Sequence, residues 1–201
     1  MSEYIKINTD EYNGTTIQPT IDILSLVDEN DPILSEVSHT FDFVNPPVDP
    51  VEFASQLVET CKVKGGFGLS ASQVGYTYRV FVMGSGEDYV AFFNPVILNE
   101  SKKTSLVAEG CLSFPMLALK IERPSEIEVE YQDFNGVKRT NTFTGLSAHC
   151  FQHELDHLNG LTFVKKAKPL ALKTGLKKRE KFKKLVDRYN KAQNKVKSLS
   201  N

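Results

Sequence analysis

The chain has 201 residues, 40% of them hydrophobic, with 24 Lys+Arg against 25 Asp+Glu. That suits one soluble globular domain able to bury a core without disulfide or metal staples. No run of 18 apolar residues is present, which excludes a membrane-spanning helix, and the opening MSEYIKINTDEYNG has neither the basic nor the apolar region of a secretory signal. That opening is also acidic, against an organelle transit peptide. Cys61, Cys111 and Cys150 are too few and odd in number for a disulfide framework, so a reducing cytoplasm is the expected compartment.

The near-zero net charge hides an asymmetry. Lys165 to Asn201 hold 14 Lys+Arg and two acids, Glu180 and Asp187, leaving 10 basic and 23 acidic residues elsewhere. A basic tail on an acidic body suits contact with a polyanion, and it suits equally a solvated helix face.

Residues 1–20 show no clear period and contain the turn signal Asn13-Gly14, so they read as an irregular or weakly strand-like extension. Asp49-Pro50 opens a helix over about 51–64, with Asp as cap and Pro at the first position. Ala54, Leu57, Val58 and Cys61 share one face of it, which makes Cys61 a core residue. Strand-like runs follow at 79–84, 89–98 and 127–132. The last leads through Asp133-Phe134-Asn135-Gly136 into 137–143, a hairpin pattern. A second helix is expected over about 146–159, ended by Asn159-Gly160. A third runs over about 171–197, with Phe182, Leu185, Val186, Tyr189 and Val196 as its apolar stripe among lysines. The expected fold is α+β with a mainly antiparallel sheet.

Residues 148–157 read AHCFQHELDH and carry the chemistry. His153-Glu154-Leu155-Asp156-His157 is H-E-x-x-H: one helical turn separates the imidazoles, so both can reach one metal ion with Glu154 near its water. His149 lies about 12 Å of helical rise from His157 and Cys150 about 10 Å, too far for bonds of about 2 Å to the same ion. Cys150 then lines the cavity that the helix faces, and His149 is a pocket-wall or surface residue. The metzincin extension fails, because its final ligand position is Phe163. Glu180 is a poor third ligand, sitting in KKREKF among competing lysines. Cys61 and Cys111 remain. Cys111, in Glu109-Gly110-Cys111-Leu112-Ser113 at a loop or strand end, is favoured: a thiolate with two imidazoles leaves one coordination position open, the mark of a catalytic site.

The sequence resembles the peptide deformylases over roughly residues 30–165. Three motifs of that family stand here in the family's order. G-φ-G-φ-A-A-x-Q reads Gly66-Phe67-Gly68-Leu69-Ser70-Ala71-Ser72-Gln73. E-G-C-L-S is matched completely at 109–113, and Q-H-E-x-D-H at 152–157. Asp31-Pro32-Ile33-Leu34 looks like the family's entry segment. The resemblance implies antiparallel β-sheets around a central HExxH helix, divided as an N-terminal extension (1–29), a catalytic domain (30–168) and a basic C-terminal helix (169–201). It implies that Cys111, His153 and His157 bind the metal, with water as fourth ligand. Fe²⁺ is the implied physiological ion, while the ligand set also tolerates Zn²⁺, Ni²⁺ or Co²⁺. Glu154 would be general base and acid, with Gln73 and the Leu112 N–H stabilising the oxyanion.

The implied reaction is hydrolysis of the formyl group on the N-terminal methionine of new polypeptides. Gly66, Gly68 and Gly110 would let the peptide lie against the protein backbone. Phe67, Leu146 and Cys150 are candidate walls of the methionine pocket. The chain departs from the pattern at Ser70, whose hydroxyl needs a partner if buried, at Ser72, and at His149, where relatives carry an apolar pocket residue. The basic tail is the candidate contact with the ribosome. The competing expectations are a zinc peptidase using Glu180 and an inactive RNA- or ribosome-binding protein.

Overall fold

A computed structural model describes residues 21–199, with side chains as far as residue 194. The extension expected over 1–20, and the side chain of Val196, lie outside the described residues.

The elements follow from local chemistry. Helix α1 spans Pro50–Val63, where the Asp49 carboxylate accepts the Val51 and Glu52 N–H groups and Pro50 takes the first position. Strand β1 is Gly68–Ser70, β2 is Val80–Ser85 and β3 is Asp88–Glu100. Strands β4 (Thr104–Gly110) and β5 (Ala118–Pro124) follow, then β6 (Glu126–Gln132) and β7 (Lys138–Thr144). The β6–β7 hairpin turns as expected: Asp133 Oδ1 accepts the Asn135 and Val137 N–H groups, and Gly136 takes φ +76°. Helix α2 is Gly145–Leu158, α3 is Phe163–Lys166 and α4 is Pro169–Leu199.

Among the described residues seven strands form two antiparallel sheets, one of five strands in the order β1-β2-β3-β6-β7 and one of β4 paired with β5. The fold is α+β, as the sequence implied. The five-stranded sheet is covered on both faces. Val80 and Val82 of β2 pack toward α1 beside Phe53 and Leu57. Phe81 and Met83, one residue out of step, pack toward α2 beside Phe151 and Leu155. This is why Val80–Met83 is an unbroken apolar run. Phe81, Phe92 and Phe151 interlock at centroid distances of 4.9, 5.0 and 5.3 Å, each burial stabilising by roughly 1.5–3 kcal/mol. Strand β3 passes Asn94-Pro95 through a bulge, where Pro can be tolerated.

Strands β1, β4 and β5 and helix α3 were not expected from the sequence. Strand β1 is three residues long, and β4 leaves Leu106 and Ala108 exposed. On β5 the inward set is Leu119, Ile121 and then Arg123, so its apolar alternation stops after two residues. Helix α2 touches both sheets and lies between them. The first turns of α4 pack on β5 through Gly175, where a Cβ would come within 2.4 Å of Leu119 Cδ2. Arg179 donates to Pro115 O and pairs with Glu29. Beyond it Phe182, Leu185 and Tyr189 are 51%, 59% and 62% exposed, so these three stripe residues do not dock on the described body. No helix among the described residues is long and apolar enough to cross a membrane.

Candidate active site

Helix α2 brings His153 and His157 together, ring centroids 5.1 Å apart, as their i, i+4 spacing requires. Cys111 arrives directly after β4. His157 Nε2 lies 3.3 Å from Cys111 Sγ. One ligand atom from each of Cys111, His153 and His157 lies within 4.8 Å of the others, and among the described residues this is the one group of that kind found. The donor set fits a divalent ion: one sulfur and two imidazole nitrogens, spaced so that bonds of about 2.0–2.3 Å could converge with little movement. Glu180 is exposed on α4 and Cys150 faces the Phe67 carbonyl, so neither belongs to the group. Burial pushes the Cys61 thiol up to about 12 and raises Cys150 as well, which favours the neutral thiol at both.

A buried ionic network holds His153 from behind. Glu109 Oε2 lies 3.0 Å from His153 Nδ1. Glu109 also accepts from Arg123 Nε and Nη2 at 2.6 and 2.9 Å, and Arg123 Nη1 donates to Asp156 at 2.7 Å. Burial alone would raise the Glu109 carboxyl, but the bonds from Arg123 and His153 outweigh it and bring it down to about 2. Glu109 is therefore an ionised acceptor for the Nδ1 proton of His153; burial lowers that imidazole, but the bonds with Cys111 and Glu109 outweigh it and raise it to about 10, so a metal at Nε2 would displace the ring's second proton. No role for Glu109, Arg123 or Asp156 was legible in the sequence. Glu109 stood in a recognised motif, but its partners come from β5 and α2, which no spacing reveals.

Gln73 is oriented in the same way. Its Oε1 accepts the Ser70 N–H at 2.9 Å, so its amide group faces Cys111 Sγ at 3.3 Å and Ser113 Oγ at 3.1 Å. No hydrogen bond among the described residues uses the neighbouring Leu112 N–H. Glu154 lies between the histidines in sequence, buried against β1; burial raises its carboxyl, while His153 and the Ser70 hydroxyl pull it the other way.

A cavity of about 1120 Å³ opens over this cluster. Gly66, Phe67, Gly68, Gly110, Leu146, His149 and Cys150 all line it, with Gln73, Cys111, Leu112, His153 and Glu154. Met83, Val90 and Met116 also line it and were not foreseen. Phe67 and Leu146 stand at its mouth, each 72% exposed.

Three of these lining residues have close neighbours within the protein. A Cβ on Gly66 would meet Leu112 Cδ1 at 2.8 Å, and one on Gly68 would meet Glu154 Oε1 at 2.5 Å. Those two glycines make room for the protein's own side chains as well as lining the cavity, while a Cβ on Gly110 would have its nearest neighbour at 3.8 Å. Of the two settings expected for His149, the pocket wall is the one found: it is buried, with Nε2 2.8 Å from Ser105 Oγ and Nδ1 3.3 Å from Glu109 Oε1. Ser72 Oγ is buried with no hydrogen-bond partner among the described residues.

The family model for polypeptide deformylase matches residues 23–173, a span that contains all three motifs. The chain belongs to the polypeptide deformylase family. A peptide deformylase from Pelagibacter ubique is 38% identical over 161 residues, 75% of this chain and 94% of that protein. One from Maricaulis maris is 38% identical over 163 residues, 79% and 92% of the two chains. Among solved structures, the Thermotoga maritima peptide deformylase superposes with a TM-score of 0.70 at 34% identity, over 74% of this chain and 99% of that one. The Synechococcus elongatus enzyme, solved with actinonin, gives 0.73 at 31% identity, over 78% and 88%. The chain is thus an enzyme, a hydrolase of protein biosynthesis in a metalloenzyme family that removes the N-formyl group from N-terminal methionine. The family match ends at residue 173, early in α4.

Proposed function

We propose that the cavity over α2 is where formyl-methionyl peptides are deformylated, with Cys111, His153 and His157 holding one divalent ion and Glu154 carrying the proton. The observation that supports this most directly is the convergence of a thiol and two imidazoles on the floor of a large cavity, with a buried carboxylate beside them. The ion would supply Lewis acidity, polarising the formyl carbonyl and making water a nucleophile near neutral pH. The donor set admits Fe²⁺, Zn²⁺, Ni²⁺ and Co²⁺, and we take Fe²⁺ as the working ion on the family resemblance.

Glu154 accepts a proton from the attacking water as its oxygen bonds to the formyl carbon. Negative charge then gathers on the carbonyl oxygen. The Gln73 amide and the Leu112 N–H donate to it, each donor worth about 3–4 kcal/mol in comparable sites. Glu154 passes its proton to the amine nitrogen as the C–N bond breaks, leaving formate and a free N-terminus. Phe67, Leu146 and Cys150 form an apolar wall for the methionine side chain, and His149 is a candidate influence on side-chain preference. The exposed basic half of α4 is proposed as a contact with the ribosome, supported by the exposure of Phe182, Leu185 and Tyr189 among lysines.

The test is formate release from a formyl-Met peptide by protein loaded anaerobically with Fe²⁺. Glu154→Ala should keep its metal and lose about 10²–10⁴-fold in turnover. Undiminished formate release by that variant overturns the mechanism, and cleavage of internal bonds without formate points to a peptidase.

A further inference from the structure

Strand β1 is built around Glu154. Gly68 and Ser70 are two residues apart and share one face, while Leu69 points to the opposite core. At Gly68 the missing Cβ leaves the space that Glu154 Oε1 occupies. At Ser70 the hydroxyl is fully buried and lies 2.7 Å from Glu154 Oε2 and 3.0 Å from the Glu154 main-chain oxygen. The Ser70 hydroxyl has one proton, and the shorter contact to the carboxylate oxygen takes it. Among the described residues no other hydrogen bond reaches that carboxylate. The same residue's N–H holds Gln73 Oε1.

We propose that Ser70 is a positioning residue for the deformylation reaction. Its hydroxyl pins Oε2 of Glu154, so that Oε1, over the cavity-lining Gly68, is the oxygen that takes the water proton and returns it to the amine. This rests on the reading of Glu154 as proton carrier. Ser70 makes no contact with the peptide in this role. An alanine would leave the carboxylate free to rotate about its last bond, and proton transfer would then start from a mixture of orientations.

The experiment compares Ser70→Ala, Ser70→Thr and Glu154→Ala, metal-loaded and assayed on a formyl-Met peptide, with crystal structures of the two Ser70 variants. Ser70→Ala should lower kcat about tenfold, the size expected for one charge-assisted hydrogen bond, with KM within about twofold and metal content unchanged. Its structure should show the Glu154 carboxylate turned or spread over several rotamers. Ser70→Thr, which keeps the hydroxyl, should recover most of kcat and the parent carboxylate orientation. In a Glu154→Ala background, Ser70→Ala should have no further effect, because the two act as one unit. A kcat within about twofold of the parent in Ser70→Ala overturns the proposal. So does a Ser70→Thr variant that holds Glu154 in place yet is as slow as Ser70→Ala. Full activity in Glu154→Ala is a separate failure, that of Glu154 as proton carrier.

Discussion

At the scale of single residues, the distinction that matters is between three cysteines of similar sequence prominence. Cys150 is beside the histidines in the chain, yet its thiol faces a carbonyl, and Cys61 is sealed in the α1 core. Cys111 alone meets the imidazoles. Cys111→Ala should therefore lose bound metal, read by elemental analysis after dialysis, while Cys150→Ala should keep it; the reverse pattern would remove Cys111 from the ligand set. Glu109 carries a stability consequence. Its folded carboxyl lies near 2, below the ordinary 4.5, so it stabilises the fold above about pH 5 and that contribution is lost as pH falls toward 2. It amounts to about 3 kcal/mol. Glu109→Gln should be less stable at neutral pH and show a flatter loss of stability between pH 5 and 2 in denaturant titrations. An unchanged acid limb would assign that loss to other carboxylates.

At the scale of elements, the long, strongly patterned segments were legible. The Asp49-Pro50 cap, the Asn135-Gly136 hairpin and the HExxH helix are local devices, formed by groups a few residues apart. Strands β1, β4 and β5 were not legible, because their inward positions are glycine, glutamate and arginine, answered by partners elsewhere in the fold. The end of α2 joins both kinds. Gly160 takes φ +67°, which its place after the helix already suggests. A Cβ there would also lie 2.5 Å from the Ser35 carbonyl oxygen, which only the fold reveals. Gly160→Ala should cost about 2–4 kcal/mol, more than the backbone conformation alone. A loss below 1 kcal/mol on thermal or chemical unfolding would mean that the 35–36 segment yields easily.

At the scale of the whole molecule, α4 is two things in one helix. Its first turns, through Gly175 and Arg179, are part of the packed body, and Arg179 ties it to Pro115 at the cavity rim. Its later turns expose apolar and basic side chains together. Removing residues 182–201 should leave formate release within about twofold, because the docked turns remain. The same truncation should abolish co-sedimentation with ribosomes, and the intact chain's binding should weaken steeply with salt. Salt-insensitive or tail-independent sedimentation would count against the contact.

The sequence by itself determined the family, the HExxH pair and the carboxylate between them, because helical spacing and contiguous motifs are properties of the chain alone. It also determined where the main helices and the β6–β7 hairpin begin and end, through caps and turn residues acting over a few positions. Only the tertiary structure decided the rest. Cys111 meets α2, Glu109 and Arg123 hold His153 from behind, and the hydroxyl of Ser70 finds its partner in Glu154. Each of these is a contact between segments distant in sequence, set by how two sheets close around one helix, and no periodicity in the chain encodes it.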